Sequence, residues 1–254
     1  MTDQLRNDCI GPNGNTYVKT PTLDALAQSS TNFPNTYCTL PICQPSRVSI
    51  ITGHYPSEHG TVSNGIAFQE RFSTLPQILA NHGYETLSSG KLHLNPIAAD
   101  FETPPREPGE VDSLPYMGYQ KVYSVEGSNS DYLKMIQEKR PDLWKAANHR
   151  PGYDTSMAFE AYPTPIPLDL HRSTCITDNA LKMLEERDKE KPFFMHLSYW
   201  DPHHPFDPPH PYDTLYENKP IQLPIPYSEE SFKKLPIHFQ QWYTKRWKSE
   251  GKPF

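Results

Sequence analysis

Residues 201–212 read DPHHPFDPPHPY, with five prolines in twelve positions. Proline lacks a backbone N–H and has a fixed φ, so neither a helix interior nor a central strand can run through this segment. It must be loop, and it follows at once on PFFMHLSYW (192–200), an aromatic run that reads as a buried strand. That strand therefore has to end abruptly. Before it comes HRSTCITDNALKMLEERDKEK (171–191), where Ile176, Ala180, Met183, Leu184 and Arg187 recur at helical spacing. The same grammar occurs earlier. TLPQILANHG (74–83) predicts a helix with Pro76 early and Gly83 as terminator, and YETLSSG (84–90) predicts a strand. KLHL (91–94) then falls at that strand's carboxyl end. Helix, strand and loop repeated in this order predict an α/β fold, a mostly parallel sheet flanked by helices. Ligands in such sheets bind beyond the carboxyl ends of the strands, where KLHL and DPHHPF are expected.

Two further helices are predicted. In KTPTLDALAQSS, Thr20 caps, Pro21 takes the first helical position, and Leu23, Leu26 and Ala27 share a face. In PSRVSIITG, Pro45 stands near the start and Gly53 beyond the end. Residues 95–165 are rich in Pro, Gly, Asp and Ser with little periodicity, and are expected to form long surface loops or a substrate lid. The 254 residues suffice for one large α/β domain or two small ones. A net charge of −6 provides no basic footprint for nucleic acid and no polybasic face for anionic lipid. No stretch is long and apolar enough for a membrane span, and no charged-then-apolar leader opens the chain. As it stands the chain reads as cytoplasmic, or as periplasmic or secreted if a signal peptide precedes Met1. Cys9, Cys38, Cys43 and Cys175 make no CxxC pair, which speaks against a zinc ribbon. Cys9, Cys38 and Cys175 are read as packing residues.

Cys43 calls for a different reading. Pro45 and Ser46 favour a helix beginning right after the thiol, whose first N–H groups and dipole stabilise negative charge. Arg47 adds a permanent cation with a donor fork suited to sulfate or phosphate oxygens. A nucleophile at an anion-binding helix start is chemically coherent, though a free cysteine is more usually a small buried hydrophobe.

CQPSRVSIITG (43–53) resembles the signature of the type I sulfatases, within the alkaline-phosphatase-like superfamily: Cys-x-Pro-Ser-Arg, four residues, then Thr-Gly. Further landmarks follow in family order: MTDQLR at the start, KTPTLDALA, GHYPSEHG, GKLHL and DPHHPF. The resemblance implies that a formylglycine-generating enzyme, or an anaerobic sulfatase-maturating enzyme, converts Cys43 to formylglycine. Its aldehyde hydrate then attacks the sulfur of a sulfated small molecule or carbohydrate. The same resemblance makes Asp3, Gln4 and the hydrate at Cys43 metal ligands, with Ca2+ as the ion and Mn2+ or Mg2+ as alternatives. Gln4 stands where many sulfatases have a second aspartate. Arg47 would hold the hydrate. Lys91 would bind a sulfate oxygen or steady the leaving group, and His93 would orient the hydrate; on a strand their two-residue spacing puts both on one face. His203 matches the histidine that protonates the leaving oxygen, a task imidazole performs near neutral pH. Without the resemblance, the His-rich loop equally suits a transition metal. His204 and His210 are read as loop histidines, and His54 and His59 as structural or near the site.

The resemblance also implies missing parts. A strand normally leads into the first metal aspartate, yet Met1 stands only two residues before Asp3. An Asp-His-Gly segment normally follows His203, and none does. The expectation is the N-terminal part of a sulfatase catalytic domain over 1–254, with its first and C-terminal portions absent and its activity impaired. A phosphonate monoester or phosphodiester hydrolase of the same superfamily is the near alternative. A non-catalytic anion-binding remnant is the distant one.

Overall fold

The computed structural model describes residues 1–69, 71–96, 114–127, 129–148, 161, 163–220 and 228–250. It divides into two compact units, Met1–Tyr216 and Glu217–Phe254.

In the first unit the helices are α1 (Pro21–Gln28), α2 (Cys43–Thr52), α3 (Pro56–His59), α4 (Leu75–Asn81), α5 (Asp131–Lys139), α6 (Trp144–Asn148) and α7 (Arg172–Glu185). The strands are β1 (Glu85–Gly90), β2 (Lys121–Ser124) and β3 (Phe193–Ser198). They form a parallel sheet in the order β2-β1-β3, with Leu87 opposite Lys121 on one side and Met195 on the other. The parallel α/β architecture predicted from the helix–strand–loop grammar is therefore present.

Alternation along the strands sends neighbouring residues to opposite faces, each with its own core. On one face Tyr123 and Leu197 pack with Tyr132, Leu133 and Ile136 of α5 and Ile176 of α7. On the other, Val122 and Phe194 pack with Val48 and Ile51 of α2, Leu92, Leu94 and Tyr119. Central strand β1 is buried throughout, although Thr86, Ser88 and Ser89 are polar. Their hydroxyls are satisfied by the carbonyls of Gly118 (2.6 Å), His196 (3.3 Å) and Ile176 (2.8 Å), which removes the cost of burying them.

Four expectations need correction. Within 95–165, the described residues include β2, α5 and α6 rather than loop alone. Helix α5 starts at a Ser130 cap and buries Tyr132, Leu133 and Ile136, a one-turn pattern easily lost among prolines and glycines. Residues 97–113, 128, 149–160 and 162 of that span lie outside the described residues. β3 is less buried than expected: it borders the described sheet, and Phe193 is exposed. Helix α1 begins at Pro21, but the Thr20 hydroxyl donates to Asp24 Oδ1 (2.9 Å) and caps no helix N–H, and none of the helix's residues is buried. Cys38 is exposed rather than packed, because it lies in a loop, whereas Cys175 is buried.

The second unit contains α8 (Glu229–Lys233), capped by the Ser228 hydroxyl, and α9 (Ile237–Glu250). Among the described residues no helix is long and apolar enough to cross a membrane.

Candidate active site

The site is assembled beyond the carboxyl ends of β1 and β3, from segments far apart in sequence. Three contacts seat the N-terminal segment beside β3. The Met1 amino group donates to the Leu197 carbonyl (2.6 Å), the Tyr199 N–H donates to the Met1 carbonyl (2.9 Å), and Thr2 bridges Tyr199 in parallel register. Asp3, the next residue, is thereby carried to the strand ends and is buried.

Cys43 is the first residue of α2, one position earlier than the helix start expected. Its partly buried thiol sits on the positive end of a ten-residue helix. Gln44 fixes that end. Its backbone N–H donates to Asn64 Oδ1 (3.1 Å), its amide donates to the carbonyls of Ile66 (2.8 Å) and Leu94 (3.2 Å), and its Oε1 accepts from Gly65 N–H (3.0 Å). Gly53 ends the helix in a left-handed conformation.

Lys91 and His93 do lie at the strand's end, but not on a strand. β1 stops at Gly90, and His93 has φ 44°. The two-residue strand spacing thus does not orient this pair. Glu126, just past β2 and 5% exposed, does so instead: its Oε2 accepts from the N–H groups of Leu92 (2.8 Å) and His93 (2.7 Å). Sequence reasoning missed Glu126 and Gln44, since both act on backbone groups more than thirty and twenty residues away in sequence, respectively.

Charge is concentrated here. Lys91 Nζ meets Asp3 Oδ2 at 2.6 Å, with the two side chains 1% and 8% exposed, and also stands 4.2 Å from the Trp200 ring centre. Arg47 Nη2 lies 3.5 Å from the same oxygen, while its Nη1 donates to the Lys91 carbonyl (2.7 Å) and Ser198 Oγ (3.1 Å). Burial opposes ionisation of Asp3, but Lys91 and Arg47 outweigh it and hold the carboxyl below its usual range. His203 and His93 both hydrogen-bond to the Cys43 thiol and, with lesser help from Lys91, bring it down to about 6. Cys43 thus carries more thiolate at neutral pH than an ordinary thiol. Alkylation by iodoacetamide is expected to rise with pH around a midpoint near 6, and His203→Ala should move that midpoint upward. A midpoint near the value of an ordinary thiol in the unaltered chain would refute the arrangement.

The structure thus brings together Asp3, Cys43, Arg47, Lys91, His93 and His203. Gln4 is exposed with φ 60°. His210 is also exposed, pairing with Asp213 at 3.2 Å. His59 is buried and hydrogen-bonded to Ser49 (3.0 Å), and His54 lies against the Phe72 ring (4.1 Å) and 3.6 Å from Glu58. Among the described His, Cys, Asp and Glu residues, one group has ligand atoms all within 4.8 Å of one another: Asp3, Cys43 and His203. It contains a single carboxylate, and that carboxylate is paired with Lys91. Calcium takes six to eight oxygens, so with Cys43 unmodified this donor set does not fit it.

The family model for sulfatases matches residues 1–226. An arylsulfatase of Clostridium perfringens is 31% identical over 229 residues, covering 89% of this chain and 47% of the relative. The multifunctional alkaline phosphatase superfamily protein PehA of Trinickia caryophylli is 30% identical over 244 residues, covering 89% and 45%. In fold, the phosphonate monoester hydrolase SpPMH of Silicibacter pomeroyi superposes with a TM-score of 0.68 at 24% identity, covering 92% of this chain and 46% of that one. The chain spans about half the length of the curated relatives it matches. A family match over most of its residues, together with a parallel sheet of the same fold, shows that this chain belongs to the sulfatase family.

Proposed function

We propose that the chain carries the nucleophile side of a sulfuric ester hydrolase, with Cys43 as precursor of formylglycine. The observation that supports this best is the convergence on Cys43 of two imidazoles and a buried lysine at a helix N-terminus. Formylglycine, once formed, supplies a hydrated aldehyde oxygen as nucleophile. The chain's own residues do the rest. His93 and His203 hold and move protons at position 43, with His203 facing the leaving group. Lys91 neutralises charge on a sulfate oxygen, and Arg47 fixes the Lys91 carbonyl and Asp3.

A cavity of about 620 Å3 adjoins His203, walled by Tyr199, Phe206, Tyr212 and several prolines, with Asp201 and Asp207 among its polar groups. Among the described residues its lining includes no lysine or arginine. It suits the alcohol part of an aryl sulfate or an uncharged sugar better than a polyanion.

The partner implied is a maturating enzyme of the formylglycine-generating or anaerobic type, and the substrate a sulfated small molecule or carbohydrate. Co-expression with a formylglycine-generating enzyme is expected to convert the Cys43 side chain from CH2–SH to CHO, read by mass spectrometry of its peptide. The converted protein is expected to hydrolyse 4-nitrophenyl sulfate faster than it does a phenyl phosphonate ester. An unmodified thiol would sink the reading, and a preference for the phosphonate would favour the phosphonate hydrolase alternative.

A further inference from the structure

The mismatch with calcium has a positive counterpart. A thiol, an imidazole nitrogen and a carboxylate oxygen from three separate segments lie within 4.8 Å of one another. Zinc accepts thiolate sulfur, imidazole nitrogen and carboxylate oxygen as ligands, and its open sites hold three protein ligands and one free position. The histidine is already arranged for such a role. His203 Nδ1 is hydrogen-bonded to the backbone carbonyl of His204. An Nδ1–H donated to that carbonyl leaves Nε2 as the lone-pair nitrogen, the outer-shell arrangement seen at metal-ligating histidines. Asp3 is 7% exposed. One of its oxygens pairs with Lys91, and a carboxylate has a second with which to bind an ion.

We propose that, while Cys43 is unmodified, Asp3, Cys43 and His203 form a binding site for zinc or a similar borderline-soft divalent ion. Binding forms a sulfur–metal and a nitrogen–metal bond, and any proton held on the Cys43 sulfur or on His203 Nε2 passes to solvent. Lys91 and Arg47 face the same site; the negative charges of the thiolate and of Asp3 offset their repulsion of the ion. Conversion of Cys43 to formylglycine replaces sulfur by oxygen, so the matured chain loses the soft ligand and with it the preference for zinc. The site concerns the unmodified cysteine and stands or falls independently of sulfate ester hydrolysis.

The test uses the full chain expressed without a maturating enzyme. Titration with Co2+ is expected to give thiolate-to-cobalt charge-transfer absorption saturating at one equivalent. Zn2+ should displace the cobalt, and Ca2+ at the same concentration should not. Cys43→Ser should abolish the absorption, and His203→Ala should weaken binding at least about a hundredfold, the upper end for outer-shell changes. His210→Ala, outside the site, should leave it unchanged. Zn2+ should also protect Cys43 of the unaltered chain from iodoacetamide, with the exposed Cys38 as internal control, a readout that needs no variant to fold. Absorption that survives in Cys43→Ser, displacement by Ca2+, or alkylation of Cys43 at the same rate with and without Zn2+ would each overturn the proposal.

Discussion

Gly90→Ala is expected to destabilise the protein by at least about 4 kcal/mol, or to prevent folding altogether. Gly90 ends β1 with φ 110°, a conformation that side-chain-bearing residues rarely adopt. A Cβ added there would lie 1.8 Å from the Ser198 carbonyl oxygen and 2.8 Å from its carbon, both backbone atoms that cannot swing aside. That oxygen accepts the Lys91 N–H (2.9 Å), and the Ser198 hydroxyl accepts from Arg47 (3.1 Å). The close approach of β1 and β3 at this point therefore places Lys91 at the site and leaves Ser198 within reach of the Arg47 side chain. Gly53 provides the comparison: it too has positive φ (73°), but nothing lies within 4 Å of an added Cβ. Gly53→Ala should cost only about 1–2 kcal/mol, the conformational term alone. Urea unfolding of the two variants separates these cases, and equal losses would refute the steric argument.

Lys91→Met should cost about 3–5 kcal/mol at neutral pH, because it leaves the Asp3 carboxylate buried without its nearest partner. The pH dependence has a definite sign. Asp3 has a depressed folded-state pKa, so its contribution is present above the unfolded carboxylate value and is lost as pH falls through the folded one. The penalty of Lys91→Met should accordingly shrink on acidification, as Asp3 takes up a proton. Lys234 and Glu230 make an ion pair of the same length, 2.6 Å, with side chains 72% and 81% exposed. Solvent screens that pair, and Lys234→Met should change stability by less than about 1 kcal/mol. Similar losses for the two lysines would show that burial is not what gives the Lys91–Asp3 pair its weight.

The parts of the fold legible in advance were those with local causes. Helices α2 and α4 carry their own punctuation, Pro45 and Gly53 in one, Thr74, Pro76 and Gly83 in the other. β1 was bounded by Gly83 and by its own end at Gly90. β2 was not legible, since four residues, KVYS, are too short to show a period and become a strand only by pairing with β1. The orientation of His93 was misjudged for a related reason. Two-residue spacing has meaning only while the strand continues, and Glu126 holds His93 in a different conformation.

The order of residues alone marked the candidate groups, and the resemblance to sulfatases supplied the chemistry expected of them. Cys43 before Pro45 and Arg47, a lysine and histidine after a strand, and a histidine in a loop no regular element could absorb are all local patterns. Only the tertiary structure decided that Asp3, Cys43 and His203 share one small volume, that Lys91 is sealed against Asp3, and that Gln4 faces outward. The reason is physical. Intrinsic propensity and capping act over one or two turns, whereas the charge balance of a site depends on burial and on distances between segments that meet only when the sheet forms.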